Sequence, residues 1–184
     1  MPNWVTNKVV IKGSDIGRIV RELGGKHTVF DFNAVIPMPP DSETFCANRG
    51  IGNAEREKFG ENNWYDWSCK HWGTKWNACE SLLQYAVDGE AVFWLDTAWS
   101  FPEPVMVELS RKYGVQVECS YYDEDIGTNC GKLVVESGRT VSHLHYDGDT
   151  NAALDFIAGE FGADVLDGYG LVRGEDGSWR NENE

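Results

Sequence analysis

Two histidines in the C-terminal third are spaced for metal binding. His143 and His145 are two residues apart in an alternating segment, so on a strand both imidazoles would project from the same face. A metal site would need at least one carboxylate more, from Glu118 or from the acidic turn 123–125, if these strands are neighbours. The alternative is a solvent-facing pair on an edge strand. Because no third ligand stands at a fixed spacing, we favour that alternative.

Other motifs that could support catalysis or cofactor binding are incomplete. Cys69 and His71 have the types of a nucleophile and its base, but two residues apart on a helix they point to nearly opposite sides. Asp147 and Asp149 resemble part of a calcium loop that lacks its glutamate at the twelfth position. The glycine-rich run 49–53 has no strand leading into it and no lysine in phosphate-loop register. We therefore predict no catalytic residue, no bound metal and no cofactor.

Aromatic residues are most concentrated in the segment 62–76, which holds four of the eight tryptophans. Indoles beside a lysine can stack a base, a nucleotide or a side chain of a partner protein. The predicted aromatic binding residues are Trp64, Trp67, Trp72, Lys75 and Trp76. The alternative is that these indoles belong to the core, and a helical stripe of apolar residues that starts at Trp72 favours the core for Trp72 and Trp76.

Negative charge is crowded into the last part of the chain. The net charge is −14, and residues 115–184 contain 15 acidic residues against only 4 basic ones. Such a surface repels double-stranded nucleic acid, whereas it suits a basic partner or solubility alone. The predicted acidic binding residues are Glu118, Asp123, Glu124, Asp125, Asp147 and Asp149.

Length and composition indicate a globular domain in a reducing compartment. The 184 residues are 41% hydrophobic and contain no apolar run near the roughly 20 residues that a membrane span requires. The first residues lack the pattern of a signal peptide, so we expect a cytoplasmic protein. Five cysteines at irregular spacing indicate reduced thiols, and without close-set pairs they do not predict an iron–sulfur cluster.

Hydrophobic periodicity predicts the elements that must position these residues. Strands are predicted at 5–12, 29–36, 91–98 and 115–121, and helices at 16–23, 54–59, 72–86 and 103–113, with Ser100 and Glu103 forming a capping box before the last helix. A hairpin follows at 132–136 and 139–145, turning at Ser137 and Gly138. A helix at 150–161 and a short hairpin around Leu171 end the chain.

This order predicts an α+β fold of the ferredoxin-like βαββαβ type, an antiparallel sheet with helices on one face. An inserted Trp-rich helix and an extended C-terminal hairpin and helix would be added to it. We predict a single domain over 1–184, with a core at 1–122 that contains an insertion at 41–88. An acidic extension would follow at 123–184.

Four short motifs resemble the YubB-like family, of the Api type found on phages and plasmids. They lie at 2–4 (Pro-Asn-Trp), 32–39 (Phe-Asn-Ala-Val-Ile-Pro-Met-Pro), 72–76 (Trp-Gly-Thr-Lys-Trp) and 97–100 (Thr-Ala-Trp-Ser). The resemblance implies a ferredoxin-like domain without an iron–sulfur cluster, and a setting on mobile genetic elements. It implies no particular activity.

These observations predict a non-enzymatic binding module. Its acidic surface would occupy a basic site on a host protein, and in its most concrete form it would inhibit a host-defence or nucleic-acid-handling complex. We expect neither double-stranded nucleic acid nor a membrane as a partner. One alternative is a module that binds a nucleotide or single-stranded nucleic acid through the Trp-rich segment. A second alternative is a metal-dependent hydrolase that uses His143 and His145.

Overall fold

A six-stranded antiparallel sheet forms the centre of the protein in the computed structural model, which describes residues 2–146, 148 and 150–182. Its strands are β1 (Trp4–Lys12), β2 (Cys79–Val87), β3 (Glu90–Ala98), β4 (Gln116–Asp123), β5 (Cys130–Glu136) and β6 (Arg139–Tyr146). Across the sheet they follow the order β2-β3-β1-β4-β5-β6, and each neighbouring pair is antiparallel.

Six α-helices and a short hairpin complete the described structure. The helices are α1 (Ile16–Leu23), α2 (Asn53–Phe59), α3 (Trp64–His71), α4 (Glu103–Tyr113), α5 (Asn151–Phe161) and α6 (Ala163–Asp167). Strands β7 (Leu171–Arg173) and β8 (Trp179–Asn181) pair as a separate hairpin. The series β1-α1-β2-β3-α4-β4 with the strand order β2-β3-β1-β4 is the ferredoxin-like βαββαβ arrangement, so the predicted fold class is confirmed.

Strand β1 lies inside the sheet, between β3 and β4, and its buried and less buried residues alternate as the sequence predicts. Val9 and Ile11 are fully buried in the core formed with α1 and α4, and Val5 and Asn7 are fully buried on the same side of the strand. The Asn7 side chain can be buried without loss of hydrogen bonding, because its amide donates to the Val5 carbonyl (2.8 Å) and to the Thr97 hydroxyl (2.9 Å). The intervening residues of β1 therefore face the other side of the sheet.

The segment 29–36 is not a strand, which corrects one prediction. Phe30 and Phe32 are buried, as in a strand, but the chain forms only a 3₁₀ turn at Phe32–Ala34. The backbone N–H of Phe32 donates to the Asn77 side-chain oxygen (2.8 Å), and the Asn77 amide donates to Asp31 (2.7 Å). Side chains thus bond the backbone groups that a neighbouring strand would otherwise pair.

The second strand of the motif is β2, so the prediction of a helix over 72–86 is also wrong. Helix α3 ends at His71, and residues 79–87 pair with β3 through a tight turn at Gly89, whose φ is +86°. This turn conformation suits glycine and makes the two segments antiparallel neighbours. The predicted insertion 41–88 therefore includes a strand of the sheet.

The helices lie on both faces of the sheet. α1 and α4 cover one face, as predicted, whereas the predicted C-terminal helix α5 packs on the opposite face. The Phe161 ring at the end of α5 contacts Trp94 of β3 and Tyr122 of β4, at centroid distances of 5.8 and 4.7 Å. The Lys8 ammonium donates to the Glu160 carbonyl (3.1 Å), which attaches the same end of α5 to β1.

The start of helix α4 also differs from the prediction. The predicted capping box is wrong, because the Ser100 hydroxyl donates to the Gly73 carbonyl and α4 begins after Pro102 with no side-chain cap. Among the residues that the structure describes, no helix combines the length and the apolar composition needed to cross a membrane.

Candidate functional site: the acid–aromatic pocket

A pocket of about 530 Å³ opens on the face of the sheet that α5 leaves partly uncovered. We call it the acid–aromatic pocket, and it is lined by Trp4, Thr6, Cys79, Glu80, Asp96, Tyr122, Glu124 and Tyr169. Its floor consists of adjacent residues on three neighbouring strands, because Thr6 of β1 pairs with Asp96 of β3 on one side and with Tyr122 of β4 on the other. The Thr6 hydroxyl donates to the Asp96 carboxylate (2.9 Å).

Strand alternation explains why these three side chains meet. Since Val5 and Asn7 face α1 and α4, Thr6 between them points to the opposite face. The end of α5 covers this face at Lys8, the next residue of β1 on the same side, and leaves Thr6 uncovered by the helix. Tyr169, which follows α6, closes one side of the opening that remains.

The pocket contains three carboxylates, those of Glu80, Asp96 and Glu124. Within the described residues, Glu80, Asp96 and Glu124 take part in no ion pair, and no lysine or arginine lines the pocket. Burial raises the pKa of Asp96, the hydrogen bond from Thr6 opposes the rise, and Glu80 and Glu124 add to it. Burial likewise raises the pKa of the Cys79 thiol, with further contributions from Asp96 and Glu80. A bound cation would relieve both effects.

Three aromatic residues line the pocket together with these carboxylates. Trp4, Tyr122 and Tyr169 all line the cavity, and the faces of such rings attract ammonium and guanidinium groups. Asp96 lies on the floor of the pocket, and Glu80 and Glu124 are exposed residues of its lining. Carboxylates beside aromatic rings match the charged head and the apolar stem of a lysine or arginine side chain.

Trp4 connects the pocket to a second group of aromatic residues, which we call the Lys75 cluster: Lys75, Tyr65, Trp76 and Trp99. The Trp4 and Trp76 rings lie 5.9 Å apart. The Lys75 ammonium is 4.5 Å from the centroid of Trp76, 4.7 Å from Trp99 and 5.9 Å from Tyr65. An aromatic surface therefore continues from the pocket to the loop after β3.

The fold that forms this pocket is similar to that of known proteins. Residues 71–160 match the family model described as the ferredoxin-like domain in Api92-like protein. This range includes five of the six strands of the main sheet. The crystal structure of a protein api92 from Yersinia pseudotuberculosis matches with a TM-score of 0.51 and 9% sequence identity, covering 80% of this chain and 99% of that chain. At that identity the similarity shows a shared fold. A comparison with curated proteins found no match.

The predicted aromatic residues divide between this surface and the core of the ferredoxin-like domain. Trp72 is only 4% exposed and its indole N–H donates to the Ile36 carbonyl (2.9 Å), so including it in a binding site was wrong. Trp67 packs on Trp72 and stacks on His71 at 4.6 Å. Trp64, whose indole N–H donates to the Arg49 carbonyl, is half-buried, like Lys75 and Trp76.

Trp99 was missed by the sequence analysis, although it is the most exposed member of the Lys75 cluster. Its side chain is 43% exposed and its φ is +73°, a conformation that is unusual for a bulky residue. The available signal was its position directly after a buried strand, where side chains often leave the core.

The predicted acidic residues do not form one surface. The Glu118 carboxylate contacts the Lys12 and Lys132 ammonium groups at 2.5 and 3.2 Å, and these hydrogen bonds lower its pKa against the opposing effect of burial. Asp123 is buried, where it accepts from the Asn129 amide (3.0 Å) and from the Asp125 N–H (2.9 Å).

Of the remaining predicted acids, Glu124 lines the pocket and Asp125 is exposed beside it. Asp147 and Asp149 lie outside the described residues. The pocket takes its other two carboxylates, Glu80 and Asp96, from earlier in the chain. Asp96 could have been found, since it is the single charged residue in the apolar segment 91–98.

The histidine pair is brought together with a residue that the sequence analysis did not consider. His143 and His145 both reach the Tyr121 hydroxyl, whereas Glu118 faces the opposite side of β4. In the described part of the chain, no three His, Cys, Asp or Glu side chains are grouped so as to hold a metal ion. Cys69 and His71 give no support to nucleophilic catalysis, because burial, and then Asp66, raises the pKa of the thiol.

Proposed function

We propose that this chain is a non-enzymatic binding module whose acid–aromatic pocket receives a lysine or arginine side chain of a partner protein. The observation that supports the proposal is the set Glu80, Asp96 and Glu124, which forms no ion pair within the described residues and is bordered by three aromatic rings. A basic side chain would neutralise the carboxylates and pack its stem against the rings.

The wider setting of this activity rests on the sequence alone. We propose a cytoplasmic protein of the YubB-like family, encoded on a mobile element, whose partner is a host protein with a basic surface. Basic surfaces commonly bind nucleic acid, so inhibition of a defence or nucleic-acid-handling complex is the concrete form of the proposal. Double-stranded nucleic acid and membranes are not proposed as partners.

Removal of the three pocket charges tests the proposal. The probe is a fluorescently labelled peptide rich in arginine and lysine, and an acidic peptide of equal length is the negative control. The triple variant E80Q/D96N/E124Q keeps the shapes of the side chains, and we expect it to bind the basic peptide at least about tenfold more weakly than the wild type.

The matched control removes three charges elsewhere. Glu43, Glu57 and Asp88 are exposed, and none forms an ion pair within the described residues, so E43Q/E57Q/D88N changes the net charge by the same amount. Equal weakening by both triple variants would contradict a pocket-specific site and would leave only a general attraction between charges.

A second candidate function is supported by the Lys75 cluster, where an exposed indole lies beside an ammonium group. Trp99 could stack a nucleotide base while Lys75 contacts its phosphate. Under this alternative, a mononucleotide or a short single strand quenches the tryptophan fluorescence, and both W99A and K75Q abolish the quenching. Quenching that persists in both variants would contradict the alternative.

A further inference from the structure

Tyr121 of β4 reaches across β5 to the exposed edge strand β6. It pairs with Gly131 of β5, which in turn pairs with His145 of β6. A side chain at Gly131 would collide with the Leu144 carbonyl oxygen and would lie 2.9 Å from the Tyr121 hydroxyl. The absence of a side chain at this position therefore opens the path that the phenol takes toward β6.

The phenol ring is held in one orientation. Tyr121 is fully buried, and the Phe101 ring stacks on it with centroids 3.9 Å apart and planes 8° from parallel. Phe101 also contacts the His143 ring edge to face at 5.4 Å. The hydroxyl oxygen is thus placed by packing at the boundary between the core and the exposed strand.

Two imidazole nitrogens converge on this oxygen. The distance from the Tyr121 hydroxyl is 3.2 Å to Nε2 of His143 and 2.8 Å to Nδ1 of His145. Donors bonded to one tetrahedral ion at about 2.0–2.2 Å lie roughly 3.3–3.6 Å apart. The observed separations are those of hydrogen bonds and are slightly shorter, so both nitrogens must move outward a little to admit an ion, and both histidines lie on the exposed strand where such a movement is possible.

We propose that Tyr121, His143 and His145 form a binding site for a single late divalent transition-metal ion. Two imidazoles and one phenol oxygen suit Zn²⁺, Ni²⁺ or Cu²⁺, whereas Mg²⁺ and Ca²⁺ prefer all-oxygen ligands. Coordination replaces the phenol O–H bond with an oxygen–metal bond and releases that proton to the buffer, and water completes the coordination. The proposal concerns ion binding and includes no hydrolytic step.

Calorimetric titration with Zn²⁺ and with Ni²⁺ tests the site. The wild type is expected to bind one ion saturably, and H143Q/H145Q is expected to abolish that binding. The control is H27Q/H71Q, which removes the other two of the four histidines and should leave the binding unchanged. A C69S/C79S variant, which removes the two partly exposed thiols, should also retain the site.

The phenol is tested separately by Y121F. We expect this variant to bind at least about tenfold more weakly and to release fewer protons, measured by repeating the titration in buffers of different ionisation enthalpy. Circular dichroism checks that each variant is folded.

The site would be overturned by a wild type without saturable binding, or by an H143Q/H145Q variant that still binds. Y121F with unchanged affinity and proton release would overturn the role of Tyr121. If Y121F does not fold, the exposed histidine pair still decides the proposal.

Discussion

At the scale of single residues, Asp96 is the carboxylate of the acid–aromatic pocket whose pKa is raised by burial and by the neighbouring acids. It is the single charged residue in the segment 91–98 and lies near two further carboxylates, and its hydrogen-bond donor is the neutral hydroxyl of Thr6. Its raised pKa means that the folded chain binds a proton more tightly at this group than the unfolded chain does. The ionised carboxylate therefore lowers the stability of the fold, which is a common property of binding sites.

The raised pKa of Asp96 makes the stability of the fold depend on pH. The unfolded carboxyl titrates near its ordinary value of 3.8, so the stability cost is absent below that pH and grows as the pH rises through the higher folded value. We expect D96N, whose amide oxygen still accepts from Thr6, to raise the thermal midpoint at neutral pH and to lose this advantage below about pH 3.8.

Thermal unfolding across a pH series measures the effect. The exposed Asp88 provides the control, because D88N changes the net charge equally without relieving a half-buried carboxylate. A D96N variant that is less stable than the wild type at neutral pH would contradict the assignment of Asp96 as an uncompensated charge.

Two tryptophans allow a second prediction at the same scale. Trp72 is buried and bonded in the core, whereas Trp99 is exposed at the surface. We expect W72A to reduce the free energy of unfolding by about 3–5 kcal/mol, and W99A to change it by less than about 1 kcal/mol. Urea denaturation measures both values, and similar losses in the two variants would contradict the division of the indoles between core and surface.

At the scale of elements, the contact between β5 and β6 depends on a residue without a side chain. In G131A the new methyl group meets the Leu144 backbone oxygen, which cannot move without separating the two strands. We expect a loss of about 1–3 kcal/mol in the free energy of unfolding.

The control for this change is a glycine in open space. Gly159 lies within α5 with no atom near its Cβ position, so G159A should stabilise the fold by about 0.5–1 kcal/mol through its helix preference. Urea denaturation compares the two variants. If G131A were as stable as the wild type, the close approach of β5 and β6 at this point would be wrong.

At the scale of the whole molecule, the net charge of −14 acts on any basic partner before contact. Long-range attraction is screened by salt, with a Debye length of about 8 Å at physiological ionic strength. We expect the association rate with the basic peptide to fall steeply as salt is added, and the dissociation rate to change much less. Stopped-flow fluorescence measures both rates, and an association rate independent of salt would contradict electrostatic steering.

The elements that could be predicted from the sequence are those whose signal is local. β1, α1, α5 and the hairpin β5–β6 each carry their own periodicity and their own turn or capping residues. The apolar stripe from Trp72 favoured a core position for this residue, which is buried, but it predicted a helix where the chain forms β2, because a strand and a helix can both present the same short apolar run.

The sequence by itself determined the ferredoxin-like class although it misplaced the second strand, since β1, α1, β3, α4 and β4 each show their own alternating or helical period in the required order. Only the tertiary structure decided that β2, rather than 29–36, is the second strand, because pairing with β3 overrides the helical spacing of the apolar residues over 72–86. It also brought Glu80, Asp96 and Glu124 into one pocket, and Tyr121 to the two histidines. Such groupings depend on the register between strands that are distant in sequence, and no local pattern encodes that register.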